Sequence, residues 1–491
     1  MRSIGSEFEA VVIGAGPAGP MAAYELARAG VRVLLLEREP LPRYKACGGG
    51  LTAKTIREVP FDLSPVVEDV CNSFAVTFRQ AGQFVRSYHR PLVYMVMRDR
   101  FDYYLVEQAV GAGAVLVDRA PAIRVAVGPS GVEVRTERGT FAAEALVGAD
   151  GANGIVARCL GLAGDFHHAP AWENEVVPDA VTLQRWRGLV GVDLGTAGAG
   201  GCGWVFPKRD HLSVGVAAHQ WRARGIKSLY HRYAERSGLW SAPVLRRRGH
   251  RLPVRPAGSP IQSGRVLLAG DAAGLIDAFT GEGIYWAVRS GKLAAGAVRE
   301  LLAGRAPDLA EYERRVDEEL MPELLTARRW VNLYLWAPGL CYLLLRYSDR
   351  FWQAVCQIIR GDRGYQDIGA SLGPLRVLAS LLPVAGGAQL SAGFPTSSAS
   401  GQSWRITGLR RPGDRGGGEE RPRDLPSPLC CYEGDTNRGE HAQRSRKDGS
   451  GGGRRPGDPG LPDLRAGGKG VHGRESIRRT PGSGGRGVLY A

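Results

Sequence analysis

The chain is poor in the patterns that build metal centres, disulfide frameworks and membrane spans. Its cysteines stand at positions 47, 71, 159, 202, 341, 356, 430 and 431, with no C-x-x-C pair and no His/Cys cluster at zinc spacing. No metal site is expected, and free thiols point to a reducing cytoplasm. The residues after Met1 lack the pattern of a signal peptide. Trp330 to Leu345 runs 16 residues without a charge, but Pro338 and Gly339 interrupt it. A span needs about 20 continuous apolar residues, so this stretch reads as a helix pair. Such a pair can be plain helix core, cap an apolar tunnel, or rest on a membrane surface from the inner face. The first 400 residues also lack a basic run with interleaved aromatics. Nucleic acid is therefore not expected as a partner, despite a formal net charge of +15.

Glycine, by contrast, is plentiful at 69 residues, and 22 of them fall in the last 91. That same tail holds 18 Lys/Arg against 11 Asp/Glu and shows no helical or strand periodicity. It is expected to be disordered, because it cannot bury enough apolar surface to offset its ordering entropy. The abrupt change in composition also fits an out-of-frame translation of GC-rich coding DNA. No chemistry is assigned to it.

Upstream, strand-turn-helix patterns flank a β-rich centre. Val11–Ile13 and Val31–Leu36 read as buried parallel strands around a helix from Pro17 to Ala29. Residues 98–110 read as a helix, 115–149 as short strands, 264–303 as strand-turn-helix, and 308–370 as mainly helical. The expected fold is α/β (α+β overall), a Rossmann-like dinucleotide domain interrupted by a β-sheet substrate domain. Residues 1–74, 98–164 and 263–328 would form the first domain, and 75–97 and 165–262 the second. A helical region, 329–390, and the tail, 391–491, would follow.

The sequence Gly14-Ala15-Gly16-Pro17-Ala18-Gly19 is a G-x-G-x-x-G between strand and helix, with Glu37 ending the next strand. Gly14 permits the tight turn and Gly16 the approach of a pyrophosphate. Gly19 lets the helix lie close to the sheet, and Glu37 can accept from ribose hydroxyls. This motif alone does not separate FAD from NAD. Asp150-Gly151 and Gly270-Asp271, each after a strand, resemble in order and spacing the later segments of flavoprotein hydroxylases and their relatives. That resemblance favours FAD.

A more specific resemblance follows. Pro42-Arg43-Tyr44-Lys45-Ala46-Cys47-Gly48-Gly49-Gly50-Leu51 resembles the P-x-x-K-x-C-G-G-x-L signature of the geranylgeranyl reductase family. Arg98–Asp102 resembles its R-x-x-F-D, Trp204–Pro207 its W-x-F-P, Gly281–Ile284 its G-E-G-I, and Gly361–Tyr365 its late G-x-x-x-Y. The likeness covers about residues 8–385. Two positions depart from it. Cys202 stands where the family has Tyr, and Asp277-Ala278-Phe279-Thr280 lacks the usual Pro.

The resemblance implies FAD contacts at Ala18, Glu37, Cys47, Gly48, Gly50, Arg98, Asp271, Gly283 and Ile284, beside Gly14, Gly16 and Gly19 of the motif. Ala120, in the turn after Val115–Val117, is a further candidate for the adenine. It also implies saturation of carbon–carbon double bonds in a prenyl chain, on a small molecule or a lipid, with electrons from NADPH or a ferredoxin-type donor. Cys47, Trp204 and Phe206 are the catalytic candidates. Trp204 and Phe206 alternate with Val205, so on a strand they share one face. They serve there as a cavity wall or as sheet core. Cys47 shapes the flavin's substrate face, or is a small buried hydrophobe. Lys45 and Arg43 are read as a diphosphate or head-group clamp, or as a solvated pair. An aromatic monooxygenase or halogenase of the same fold is the alternative reading. A non-catalytic flavoprotein with a nucleic-acid- or membrane-binding tail is another.

Overall fold

A computed structural model describes residues 8–129, 131–196, 201–218 and 225–367. The tail expected to be disordered or out of frame lies outside the described residues. The fold is mixed α/β. A six-stranded sheet has the order Gln262–Ser263, Val266–Leu268, Ala145–Gly148, Ala10–Ile13, Val33–Leu36, Val115–Val117. All its neighbours run parallel except the first pair. Its central strands are wholly buried and uniformly apolar, as a sheet covered on both faces requires.

The helices Ala18–Arg28 and Ile284–Leu302 pack on this sheet and on each other. Their contact depends on Gly291, where a Cβ would lie 2.5 Å from the Ala18 carbonyl oxygen. The start of the first helix is thus pinned by a helix more than 260 residues away in sequence.

A second sheet of seven strands has the order Val244–Val254, His167–Val176, Leu212–Ala218, Gly201–Pro207, Leu189–Leu194, Ser73–Phe78, Ala81–Ser87. One of its faces packs on the helix Ile226–Arg236 through Val205, Val214, Val216, Tyr230 and Tyr233. Strand alternation turns Cys202, Trp204 and Phe206 to the other face. A small sheet of Gly50–Thr52, Val93–Val96 and Val67–Cys71 carries the chain from the Cys47 segment to the helix Arg98–Gly111.

The uncharged stretch forms two helices, Met321–Trp336 and Pro338–Tyr347, divided at Pro338 as expected. Among the described residues, no helix is long and apolar enough to cross a membrane. The late Tyr365 is buried, and its hydroxyl donates to Asp277 Oδ2 at 2.6 Å. Asp277 Oδ1 accepts from the N–H groups of Phe279 and Thr280, at 2.8 and 3.1 Å. An Asx turn therefore stands where the family has its proline.

Candidate flavin site

The glycine turn forms where the first strand feeds the first helix. Gly14 has a φ of +106°, and a Cβ there would sit 2.7 Å from the carbonyl carbon of Ala149. Gly19 lies against the Gly14 carbonyl, where a Cβ would collide. At Gly16 nothing lies within 4 Å of a Cβ position, so its backbone is open. The helix has no side-chain cap and no acid in its first turn. Its N-terminal N–H groups and positive dipole end are left for a ligand. Glu37 is 5% exposed and accepts from Ala15 N–H at 2.9 Å and Glu39 N–H at 3.1 Å. Ala120 N–H donates to the Glu37 carbonyl at 2.9 Å, which brings those two expected residues together.

Asp271 lies in a short 3₁₀ turn, Gly270–Ala273, that reaches the same helix start. A Cβ on Gly270 would be 3.1 Å from the Ala18 Cβ, and one on Gly283 would be 3.3 Å from Asp271 Oδ1. Ile284 opens the Ile284–Leu302 helix just beyond. Asp271 Oδ2 binds Lys45 Nζ and His250 Nε2, each at 3.1 Å. Burial alone would raise its pKa, but Lys45 and His250 outweigh it and hold Asp271 far below the usual carboxylate range.

Arg98 is 3% exposed and grips Asp102 one helical turn away through two bonds, at 2.7 and 2.8 Å. It also interacts with the Cys47 side chain. Arg43 reaches Asp102 at 2.8 Å and Glu37 at 3.4 Å. One buried ionic chain thus joins Glu37, Arg43, Asp102 and Arg98, and Arg98 brings it to the half-buried Cys47 side chain. This corrects one expectation for Arg43 and Lys45. They are not a solvated pair, because each is bound to a carboxylate of the dinucleotide half.

The Cys47 segment meets the second sheet at its glycines. A Cβ on Gly48 would be 2.7 Å from the Phe206 ring and 3.2 Å from Trp204 Nε1, and one on Gly50 would be 3.3 Å from Phe206. Trp204 and Phe206, with ring centres 6.4 Å apart, therefore meet the glycines that follow Cys47. Trp204 Nε1 is buried with no hydrogen-bond partner among the described residues. Lys208 is fully buried, and its Nζ donates to the carbonyls of Gly48 at 2.6 Å and Val96 at 3.0 Å. It fastens the Gly48 backbone to the end of the aromatic strand. Cys202 lies on the same face, where burial pushes its thiol up to about 11.

These features fit FAD. The open backbone at Gly16 and the uncapped helix suit a pyrophosphate, and the buried Glu37 suits a ribose. The orphaned Trp204 N–H beside Gly48 leaves a donor at the far end of the same segment. Asp150 Oδ2 accepts from Ile155 and Val156 N–H at 2.6 and 3.0 Å at the start of a short helix, while its buried Oδ1 has no partner among the described residues.

Sequence reasoning missed a buried acid cluster behind Cys47. Glu173 Oε1 accepts from Cys47 N–H at 2.6 Å and from Tyr44 hydroxyl at 2.8 Å, and Glu175 lies two residues on. An E-x-E pair inside a strand was the available signal, since period two places both acids on one face. Asp102 and Lys208 were also passed over, although each stands inside or beside a quoted motif.

A family model described as FAD binding domain matches residues 7–316. An uncharacterized protein of Methanosarcina barkeri is 31% identical, over 65% of this chain and 82% of that protein. The chloroplastic geranylgeranyl diphosphate reductase of Oryza sativa is 33% identical, over 60% of this chain and 67% of that protein. A geranylgeranyl bacteriochlorophyll reductase-like structure from Thermoplasma acidophilum aligns with a TM-score of 0.61 at 24% identity, covering 67% of this chain and 88% of that one. Halogenase PltM in complex with phloroglucinol and FAD aligns at 0.57 and 17% identity, covering 76% and 86%. Both structures are alike in fold.

Proposed function

Since the chain belongs to the geranylgeranyl reductase family of FAD-binding oxidoreductases, we propose that it saturates carbon–carbon double bonds of a geranylgeranyl or other prenyl chain. The observation that carries this reading is the meeting of Cys47-Gly48 with Trp204 and Phe206. The bound FAD, once reduced, supplies a hydride from N5. It would be held by Gly14, Gly16, Ala18 and Gly19 at the pyrophosphate, with Glu37 and Ala120 at the adenosine end. Arg98, Asp271, Gly283, Ile284 and the Cys47–Gly50 segment would hold the rest.

An isolated trisubstituted alkene is a poor hydride acceptor. A proton must arrive with the hydride or before it, and positive charge develops on the tertiary carbon. Trp204 and Phe206 offer π faces to that charge, each worth about 0.5–2 kcal/mol. They also keep water from the apolar chain. Cys47 shapes the wall between them and the ionic chain. Trp336, Leu343 and Tyr347 are exposed on the two helices after residue 320. They form the edge from which a lipid-borne prenyl chain, and a membrane surface, would approach. NADPH or a ferredoxin-type protein would supply the electrons.

The test is anaerobic. Reduced protein is mixed with geranylgeranyl diphosphate, and flavin reoxidation is followed together with a mass gain of two hydrogens per double bond. Reoxidation with that gain is expected. If no prenyl compound reoxidises the flavin, the reading is wrong. Oxygen-dependent NADPH oxidation that rises with a phenolic substrate would then favour a monooxygenase or halogenase.

A further inference from the structure

The acid cluster behind Cys47 reaches from the exposed Asp210 to the Cys47 backbone N–H. Glu173 and Glu175 lie on one face of the strand His167–Val176, 3% and 1% exposed. Two buried carboxyls this close do not both ionise readily. The Tyr44 hydroxyl stands between them, 2.8 Å from Glu173 Oε1 and 3.1 Å from Glu175 Oε1. A hydroxyl donates one proton and accepts others, so it can bridge one ionised and one protonated carboxyl. On the outer side, His211 Nε2 lies 3.2 Å from Glu175 Oε2, within ion-pair reach but off the hydrogen-bond axis. His211 Nδ1 is 2.6 Å from Asp210, whose side chain is 78% exposed. On the inner side, Glu173 accepts from Cys47 N–H.

Other charged groups face this line. Lys208 lies near both acids, and Arg246 stacks over the Tyr44 ring at 4.7 Å. Arg248 is the cross-strand neighbour of Glu173. Burial, then Glu175, pushes Glu173 up to about 7, against the bonds from Tyr44 and Cys47 and the charge of Lys208. Burial would lower His211, but Glu175 and Asp210 outweigh it and raise it. Glu173, at the inner end, therefore exchanges its proton near neutral pH. Tyr44 is pushed far above the phenol range by burial and the two acids, so it passes a proton without ionising.

We propose that Asp210, His211, Glu175, Tyr44 and Glu173 form a proton path from solvent to the cavity wall at Cys47, with Glu173 as its inner terminus. It rests on the reductase reading, because saturating an alkene consumes one proton for every hydride. The reduced flavin gives the hydride to one alkene carbon, and the other carbon gains the proton that leaves the Glu173 carboxyl. His211 then gives a proton to the ionised Glu175 and regains one from solvent beside Asp210, and Tyr44 gives its hydroxyl proton to Glu173 while taking the one now on Glu175. No electrons pass along the path.

The test has two arms on FAD-loaded protein. In the first, without substrate, infrared difference spectra are recorded against pH. A protonated carboxyl band is expected that titrates near neutrality, vanishes in Glu173→Gln, and moves to lower pH in Glu175→Gln. In the second, single-turnover prenyl reduction is measured. Glu173→Gln and Tyr44→Phe should slow it by roughly 100-fold with flavin content unchanged. His211→Ala should slow it toward high pH and be rescued by added imidazole, which a merely structural histidine would not show. A band that survives Glu173→Gln overturns the path, as do variants that match the parent at every pH. Should the parent reduce no prenyl compound, the reductase reading falls, and the infrared arm still decides whether Glu173 holds the proton. His211→Ala, at the outer end, keeps the test open if Glu173→Gln does not fold.

Discussion

The turn Gly14–Gly19 and the wall around Cys47 lie within one N-terminal segment and are made of opposite materials. In the turn, binding comes from missing side chains. A Cβ at Gly14 or Gly19 would strike backbone, and the space over Gly16 is left open. At the wall, buried side chains hold one another. Arg98, Asp102, Arg43 and Glu37 form one chain of charge, and Lys208 clamps the Gly48 carbonyl. A backbone cradle tolerates almost no substitution but needs no partners. A charge network allows changes of shape only if its pairing is kept.

The sharpest way to break this contrast is Gly14→Ala. A left-handed φ and a clash with Ala149 should weaken FAD binding by roughly 100-fold, read by flavin fluorescence quenching. Unchanged affinity would remove the backbone argument. Asp102→Ala leaves the buried Arg98 without a carboxylate and Arg43 with Glu37 alone, and should cost about 3–5 kcal/mol in urea unfolding. A loss near zero would mean that the network does not hold the wall.

A third prediction concerns pH. The Glu173 carboxyl is raised in the folded chain to about 7 from an ordinary 4.5, so the folded state holds a proton that the unfolded state has released. This contribution is full below the ordinary value and is lost as pH rises through about 7. Glu173→Gln should therefore flatten the fall in stability across that window, measured by thermal unfolding at several pH values. A parallel shift of the two curves would contradict it.

Cys202→Tyr restores an aromatic group to the face of Trp204 and Phe206. It should change the KM for a prenyl substrate by a few-fold, on the order of 1 kcal/mol, and leave FAD affinity alone. A large effect on FAD would blur the division between turn and wall. Arg314→Ala removes exposed pairs with Glu311 and Glu318 and should leave the melting temperature where it was.

The turn was legible in the sequence because its determinants are local. Gly14, Gly16, Gly19 and Glu37 sit at fixed spacing, and the structure places them where that spacing requires. The alternation of Trp204 and Phe206 was also legible, since strand period alone sets their face. The solvated-pair reading of Arg43 and Lys45 failed because their partners, Asp102 and Asp271, are 59 and 226 residues away. Glu173 was missed for the same reason. Its meaning depends on Tyr44 and Cys47, which meet it only when the second sheet docks on the first segment.

Gly215 governs how chains like this one can diverge. Trp204 lies flat across it from the neighbouring strand, and a Cβ at 215 would enter the indole ring. The same indole, with Phe206, fills the space beside Gly48. Positions 48, 204 and 215 are thus one packed unit, drawn from three separate segments. A lineage that gains a side chain at 215 must shrink or lose the tryptophan, and room then opens at 48. Covariation of these three positions among relatives should therefore mark where one pocket shape gave way to another.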